Sequence, residues 1–242
     1  MTWLWAISFS TVCISAASLP ALAGTVAGRV ELRDSRDPDV RKGRDYSGVV
    51  ISLKPVDAAA ALPPASGHST ILQKNKTFTP HVLAIAAGTS VDFPNQDPIF
   101  HNAFSSYSGQ IFDVGLYPPG TSRSVLFTRP GIVRVFCNIH SSMSAMIVVL
   151  ATPYFATTGR DGAFKIPNVP PGEYTLQVFH ERSTDPTLRA LERRITVEQA
   201  SLALPDLSIS EAGFLPIPHG NKYGRPYPTE IDEHTIYPGT RK

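Results

Sequence analysis

The chain has 242 residues, 42% of them hydrophobic, and a formal net charge of +2 at pH 7. That length and apolar content are enough for one large or two small domains with buried cores. Acidic and basic residues are interspersed, with no basic stripe of the kind that nucleic-acid binding needs. The 22 prolines and 17 glycines separate short apolar runs, which is typical of an all-β protein with many turns.

Residues 1–23 have the pattern of a signal peptide. An uncharged, mostly apolar run from Trp3 to Ala17 precedes Pro20, and Ala21-Leu22-Ala23 is a small-residue cleavage site. The alternative is an uncleaved membrane anchor, but the run is shorter than the ~20 residues that a spanning helix needs. We therefore expect a periplasmic protein with no membrane span after cleavage.

Between residues 24 and 150 the sequence predicts one β-domain. Its predicted strands are bounded by glycine, proline and asparagine, and the regular spacing indicates a sandwich or a barrel. The predicted strands are Thr25–Leu32, Gly48–Lys54, Val82–Ala86, Ser90–Phe93, Ser122–Phe127, Ile132–Phe136 and Met146–Leu150.

Residues 151–210 are predicted to form a second, smaller β-sandwich, which begins after Ala151-Thr152-Pro153. Its first two strands, Tyr154–Thr157 and Ala163–Ile166, flank Gly159-Arg160-Asp161-Gly162, which predicts a hairpin turn. A unit of about 60 residues is marginal by itself, so we expect it to pack against the first domain. Residues 211–242 are rich in Pro, Gly, Tyr and His and are predicted to be an extended tail, partly laid on the body by its aromatic residues.

The cysteine count becomes informative once export is assumed. Cys13 leaves with the signal peptide, and Cys137 then stands alone in an oxidising compartment. No intramolecular disulfide is possible, which leaves a free thiol, an intermolecular bridge or a metal ligand. His140 lies three residues further on and favours the ligand.

Four side chains predict a metal site. Cys137 ends a predicted strand, His140 and Met143 follow on the next loop, and His101 lies on a separate loop upstream. Two His and one Cys with a weak axial Met are the ligands of a blue, or type 1, copper site. Zinc also binds Cys and His, but closed structural zinc sites take four nitrogen or sulfur ligands without a thioether. The sequence therefore predicts one copper ion.

These segments resemble the cupredoxins, the blue-copper family, with an amicyanin-like or plastocyanin-like domain. The resembling residues are Gly88 to Asp97, His101-Asn102 and Cys137-x-x-His140-x-x-Met143. The resemblance implies a Greek-key sandwich in which His101, Cys137, His140 and Met143 hold copper. It also implies that Asn102 pins the two ligand loops together.

The ligand loop departs from the family pattern at two places. Family members with a longer loop have the axial Met five residues after the His, whereas here Met143 is three residues after it and Met146 six. The short-loop alignment favours Met143, with Met146 as the alternative. Asn138-Ile139 replaces the more usual Ser/Thr-Pro between the ligands.

The second unit resembles the carboxypeptidase regulatory-like, or transthyretin-like, domain over Asp161 to Leu176. This resemblance implies no peptidase activity. The combination of the two domains resembles bacterial proteins labelled methylamine utilization, a label that does not identify a substrate.

These observations predict a one-electron carrier between a protein redox donor and a protein acceptor, with no catalytic residues. The alternative is a copper carrier or sensor module without an electron-transfer role, although only three Met occur in the chain. A copper enzyme would need a further substrate-binding copper, and the remaining His are scattered along the sequence. The second domain and the tail could also serve only to dock the carrier on a partner.

Overall fold

A computed structural model describes residues 23–57, 67–106, 109–198, 201–216 and 218–227. Over these residues the chain is built mainly of β-strands, with two short helices, α1 (Pro38–Arg41) and α2 (Asp185–Ala190). The predicted all-β class is confirmed. None of the described helices is long and apolar enough to cross a membrane. The predicted signal peptide lies outside the described residues, except for Ala23.

The described strands are numbered in chain order. They are β1 (Gly24–Arg33), β2 (Val50–Pro55), β3 (Gly67–Thr70), β4 (Leu72–Lys74), β5 (Thr77–Thr79), β6 (Val82–Ala86), β7 (Thr89–Pro94), β8 (Phe104–Ser105), β9 (Phe112–Asp113), β10 (Ser122–Phe127), β11 (Gly131–Phe136), β12 (Ser144–Leu150), β13 (Phe155–Thr157), β14 (Ala163–Val169), β15 (Gly172–Phe179), β16 (Arg193–Val197), β17 (Leu202–Ala203) and β18 (Leu207–Ser210). The described residues from 211 onward contain no further strand or helix.

One sandwich is formed by the chain between β3 and β12. Its larger sheet has the order β6-β12-β11-β8-β9, its smaller sheet the order β10-β7-β3, and β4 pairs with β5. Side chains alternate between the two faces of a strand, so β7 buries Thr89, Val91 and Phe93 while the residues between them are less buried. Val91 and Phe93 pack with Val135 and Ile147 of the other sheet in one apolar core.

The other sandwich has a core of its own. One sheet has the order β14-β1-β17, with β18 also paired to β1, and the second has the order β13-β2-β15-β16. Val30 and Ile166 of the first sheet pack with Ile51 and Leu176 of the second.

The strand pairing corrects the predicted division at residue 150. The sequence placed β1 and β2 in the first domain, but β1 pairs with β14 and β18, and β2 pairs with β13 and β15. The β3–β12 sandwich is therefore an insertion between β2 and β13 of the other sandwich, and does not precede it. Alternation along a strand predicts which face is buried, but it does not specify which distant strand will be the neighbour.

The predicted hairpin at Gly159 to Gly162 is also wrong. β13 pairs with β2 and β14 pairs with β1, so the turn takes the chain from one sheet to the other. Gly162 has a φ of +78°, and a Cβ there would lie 2.0 Å from the carbonyl oxygen of Val30. Glycine at this position thus reflects a close backbone approach at a corner.

Candidate metal centre

His101 lies on the loop between β7 and β8, and its backbone pairs with that of Tyr117, on the loop between β9 and β10. Its N–H donates to the Tyr117 carbonyl at 3.2 Å, and the Tyr117 N–H donates to the His101 carbonyl at 2.9 Å. Both residues are completely buried. The imidazole therefore starts from a fixed backbone position inside the core.

Cys137, His140 and Met143 occupy the short loop that joins β11 to β12. These strands are antiparallel and pair up to Phe136 and Ser144, which leaves seven residues to turn the chain. The Cys137 N–H donates to the Met143 carbonyl at 3.2 Å, and the Met143 N–H donates to the His140 carbonyl at 3.1 Å. The loop is thus closed by its own backbone, and its conformation does not depend on a metal alone.

The structure brings His101, Cys137 and His140 together. The Cys137 Sγ lies 4.0 Å from Nδ1 of His101 and 3.7 Å from Nδ1 of His140. One possible ligand atom from each residue lies within 4.8 Å of the others, and the two imidazole centroids are 4.9 Å apart at an interplanar angle of 69°. All three side chains are buried, His140 least so at 6% exposure.

These separations are compatible with one shared metal ion. Bonds of the length found in zinc sites, about 2.3 Å to sulfur and 2.0 Å to nitrogen, place two donors of one ion about 3.5 to 3.7 Å apart. The observed sulfur–nitrogen distances are 4.0 and 3.7 Å. Two His and one Cys are ligands that copper accepts.

The two candidate axial residues, Met143 and Met146, differ in their surroundings. Met143 is completely buried and belongs to the same apolar cluster as Cys137. On β12, Ala145 and Ile147 contribute to that cluster, so strand alternation turns Met146 to the opposite face. If the cluster holds a metal, this arrangement favours Met143 over Met146 as the residue that would contribute a thioether donor.

Asp97 contacts the site and was not identified as a site residue from the sequence. Its Oδ2 lies 2.7 Å from Nε2 of His101, and its two oxygens also accept hydrogen bonds from the N–H groups of Asn75 and Lys76. Burial by itself would raise the pKa of the Asp97 carboxyl, but the hydrogen bonds from Lys76, His101 and Asn75 hold that pKa below its usual value. An ionised Asp97 accepts a hydrogen bond from the Nε2–H group of His101, which leaves the Nδ1 lone pair on the side of Cys137.

Asn102 makes different contacts from those implied by the family resemblance. Its amide nitrogen donates to Oδ1 of Asp113 at 2.7 Å and to the Gly115 carbonyl at 2.9 Å. These bonds join the His101 segment to residues 113–115. The direct link from Asn102 to the Cys137 loop is therefore replaced by a link to the segment around β9.

The fold and site define a class: an all-β sandwich with a buried His–Cys–His cluster at the ends of its strands. No family model and no curated protein matches this chain. Similar solved structures include a purple cupredoxin from Nitrosopumilus maritimus, with 21% identity over 34% of this chain and 99% of that one, at a TM-score of 0.32. An amicyanin variant in the Cu(I) form matches at 17% identity over 41% of this chain and 98% of its own, also at 0.32.

A Cu-containing nitrite reductase from Thermus scotoductus SA-01 is similar as well, with 26% identity and a TM-score of 0.33. The match covers 50% of this chain and 28% of the reductase. At TM-scores this low, the assignment of a metal depends on the chain's own donor atoms and their distances.

Proposed function

We propose that this protein is a one-electron carrier with a single type 1 copper, bound by His101, Cys137 and His140 with Met143 as a weak axial donor. The observation that supports the proposal is the convergence of one sulfur and two imidazole nitrogens in a buried pocket, at separations of 3.7–4.0 Å from the sulfur. This donor set is that of a blue-copper site.

The protein's contribution is a preformed, dry ligand set. Bound copper would supply a reversible one-electron couple between Cu(I) and Cu(II). The closed Cys137–Met143 loop and the backbone pairing of His101 with Tyr117 hold the donors in place, so little rearrangement accompanies a change of charge. Asp97 orients one imidazole, and apolar neighbours such as Phe93 exclude water and raise the cost of added charge.

A copper carrier or sensor is the second candidate, and the burial of the donors argues against it. A protein that hands over its metal benefits from exposed ligands that exchange quickly, whereas His101, Cys137 and Met143 are completely buried here. The prediction that the chain is not an enzyme stays a prediction. Metal analysis tests it, since a copper enzyme built within one chain would bind more than one copper per chain.

We also propose a periplasmic location and protein redox partners, on the basis of the signal-like segment and the proposed electron-transfer role. For the sandwich that contains β1, β2 and β13–β18, we retain the transthyretin-like resemblance and a docking role as proposals. The methylamine-utilization label remains a sequence resemblance without an assigned substrate.

The test of the main proposal is the visible and EPR spectrum of the full chain after loading with Cu(II). We expect an intense visible absorption, one copper per chain, and bleaching by ascorbate. The Cys137→Ser variant should lose the intense absorption because a serine hydroxyl is not a thiolate donor. Copper-loaded wild-type protein that is colourless and does not respond to ascorbate would contradict the proposal.

A further inference from the structure

We propose that the C-terminal segment 218–227, called the strap below, is part of the metal centre, with Tyr227 and Lys222 as positioning residues for the two ligand segments. This inference rests on the proposed function in one respect, namely that the site binds copper. The strap contains none of the four proposed ligands. It contacts the ligand loop, although it lies more than 80 residues further along the sequence.

Tyr227 holds the backbone of Cys137. Its hydroxyl donates to the Cys137 carbonyl oxygen at 2.8 Å. The His219 ring stacks on Phe136, the residue before Cys137, with ring centroids 4.0 Å apart and an interplanar angle of 27°. Tyr227 in turn packs edge-on against His219, with centroids 5.4 Å apart. One end of the ligand loop is therefore clamped by two aromatic side chains of the strap.

Lys222 joins the two ligand segments. Its backbone N–H donates to Oδ1 of Asn138 at 2.9 Å, in the Cys137 loop. Its Nζ lies 2.8 Å from Oδ2 of Asp113, and the other oxygen of Asp113 accepts from Asn102, next to His101. A continuous series of hydrogen bonds thus runs from Asn102 through Asp113 and Lys222 to Asn138. The link that the family resemblance assigned to Asn102 alone is completed here by the strap.

The strap also contacts the unusual pair of residues between the ligands. Asn138-Ile139 replaces the more usual Ser/Thr-Pro, and the side-chain oxygen of Asn138 accepts the Lys222 N–H at 2.9 Å. Asn138 and the strap therefore form one contact.

Holding the Cys137 peptide in place has two consequences for a bound metal. The direction of the Cys137 side chain, and with it the position of the sulfur, follows from the orientation of its backbone. The loop must also open before copper can leave, and the strap opposes that opening. Loss of one hydrogen bond of typical net strength corresponds to about a fivefold change in an equilibrium constant.

The experiment compares Tyr227→Phe and Lys222→Met with the wild-type full chain. Arg225→Met is the matched control, because it also removes a positive charge from the strap and Arg225 is exposed. The first readout uses no metal: amide hydrogen exchange at Cys137 and Met143, whose N–H groups close the ligand loop. We expect exchange about fivefold faster in both variants and unchanged in the control.

The second readout uses copper as the probe. After loading with Cu(II), we expect Tyr227→Phe to shift the visible absorption bands, which a merely structural tail would not do. Release of Cu(I) to an excess of chelator should be about fivefold faster in both variants, and Lys222→Arg, which keeps the positive charge, should recover part of the loss.

The outcomes separate the two proposals. If Tyr227→Phe and Lys222→Met match Arg225→Met in exchange, spectrum and release, the strap is not part of the centre and the inference is wrong. If the wild-type chain binds no copper, the proposed function fails, while the exchange rates of the metal-free chain still decide the role of the strap.

Discussion

Asp97 determines which nitrogen of His101 faces the metal site. A neutral imidazole has one N–H and one lone pair, and the carboxylate at 2.7 Å from Nε2 selects the tautomer that carries its proton there. Nδ1, which lies 4.0 Å from the Cys137 sulfur, is then the nitrogen that can bind a metal. A carboxylate behind a metal-binding His also makes the ligand more basic.

Replacement of Asp97 by Asn tests this role. The amide keeps the shape of the side chain but removes the negative charge, so His101 should become a weaker and less well oriented donor. We expect copper affinity to fall about 10–100-fold, the usual effect of losing such a partner. A competition titration with a copper chelator measures it.

The control for Asp97→Asn is Asp92→Asn, a change of the same type on β7. Asp92 bonds to His68 and Ser124, and neither of these residues is a proposed ligand. Equal copper affinities of the two variants would mean that Asp97 does not act on the metal.

At the scale of the element, the strand β12 separates the two methionines. Ala145, Ile147 and Val149 of β12 contribute to the apolar core of the metal-site sandwich, so Met146 points to the opposite face. Met143 comes just before the strand and packs in that core with Cys137. The alternation of one strand thus distinguishes two residues that sequence spacing left as alternatives.

The pair of substitutions Met143→Leu and Met146→Leu tests the axial assignment. Leucine has a similar volume, so each change should cost less than about 1.5 kcal/mol of stability. We expect Met143→Leu to alter the EPR spectrum and to raise the reduction potential, because loss of a donor disfavours the more highly charged Cu(II). Met146→Leu should leave both unchanged. The reverse pattern would identify Met146 as the axial residue.

At the scale of the whole molecule, His81 and Glu181 join the two sandwiches. His81 precedes β6, its Nε2 lies 2.7 Å from Glu181, which follows β15, and its Nδ1 lies 3.0 Å from the Ser144 carbonyl. The pair borders a cavity that is also lined by His180 and Arg182. The hydrogen bond that His81 donates to Glu181 raises the pKa of His81 above its ordinary value of 6.5, although burial and the charge of Arg182 oppose the shift.

This raised pKa predicts a pH-dependent stability. Folding favours the protonated form of His81. Its contribution to the free energy of unfolding is therefore fully present below about pH 6.5, the pKa of His in an unfolded chain, and is lost as pH rises through the pKa of His81 in the folded chain. We expect the urea midpoint of unfolding of the wild-type chain to be lower at pH 8.5 than at pH 6.0. In Glu181→Gln the difference between the two midpoints should be smaller. His81 is half exposed, so the effect should be modest.

The control is Glu173→Gln, which changes an exposed carboxylate on β15 that faces Arg194. Glu181 stays ionised over the tested range: burial by itself would raise its pKa, but the hydrogen bond from His81 and the charges of His81 and Arg182 together lower it. If Glu181→Gln keeps the full wild-type difference between the two pH values, the pair does not couple folding to protonation.

The local parts of this protein follow from patterns in its amino-acid sequence. Alternating apolar residues and turn residues predicted the all-β class, and three-residue spacing placed Cys137, His140 and Met143 on one short loop. The predicted convergence of His101 with Cys137 and His140 also agrees with the structure. The β class and the ligand loop depend on residues that are neighbours in the chain. The convergence could be predicted because few residues of the chain can complete a metal site with Cys137.

The contacts between distant segments became apparent in the folded chain. The tertiary structure paired β1 and β2 with strands that follow residue 150, placed Asp97 behind His101, and laid Lys222 and Tyr227 on the ligand loop. The physical reason is that burial stabilises any apolar face, and a hydrogen-bonding group can pair with any suitable partner. Neither effect specifies which distant residue will be the partner. The pairing of distant segments is determined when both cores pack, because the native pairing is the one in which all contacts are satisfied together.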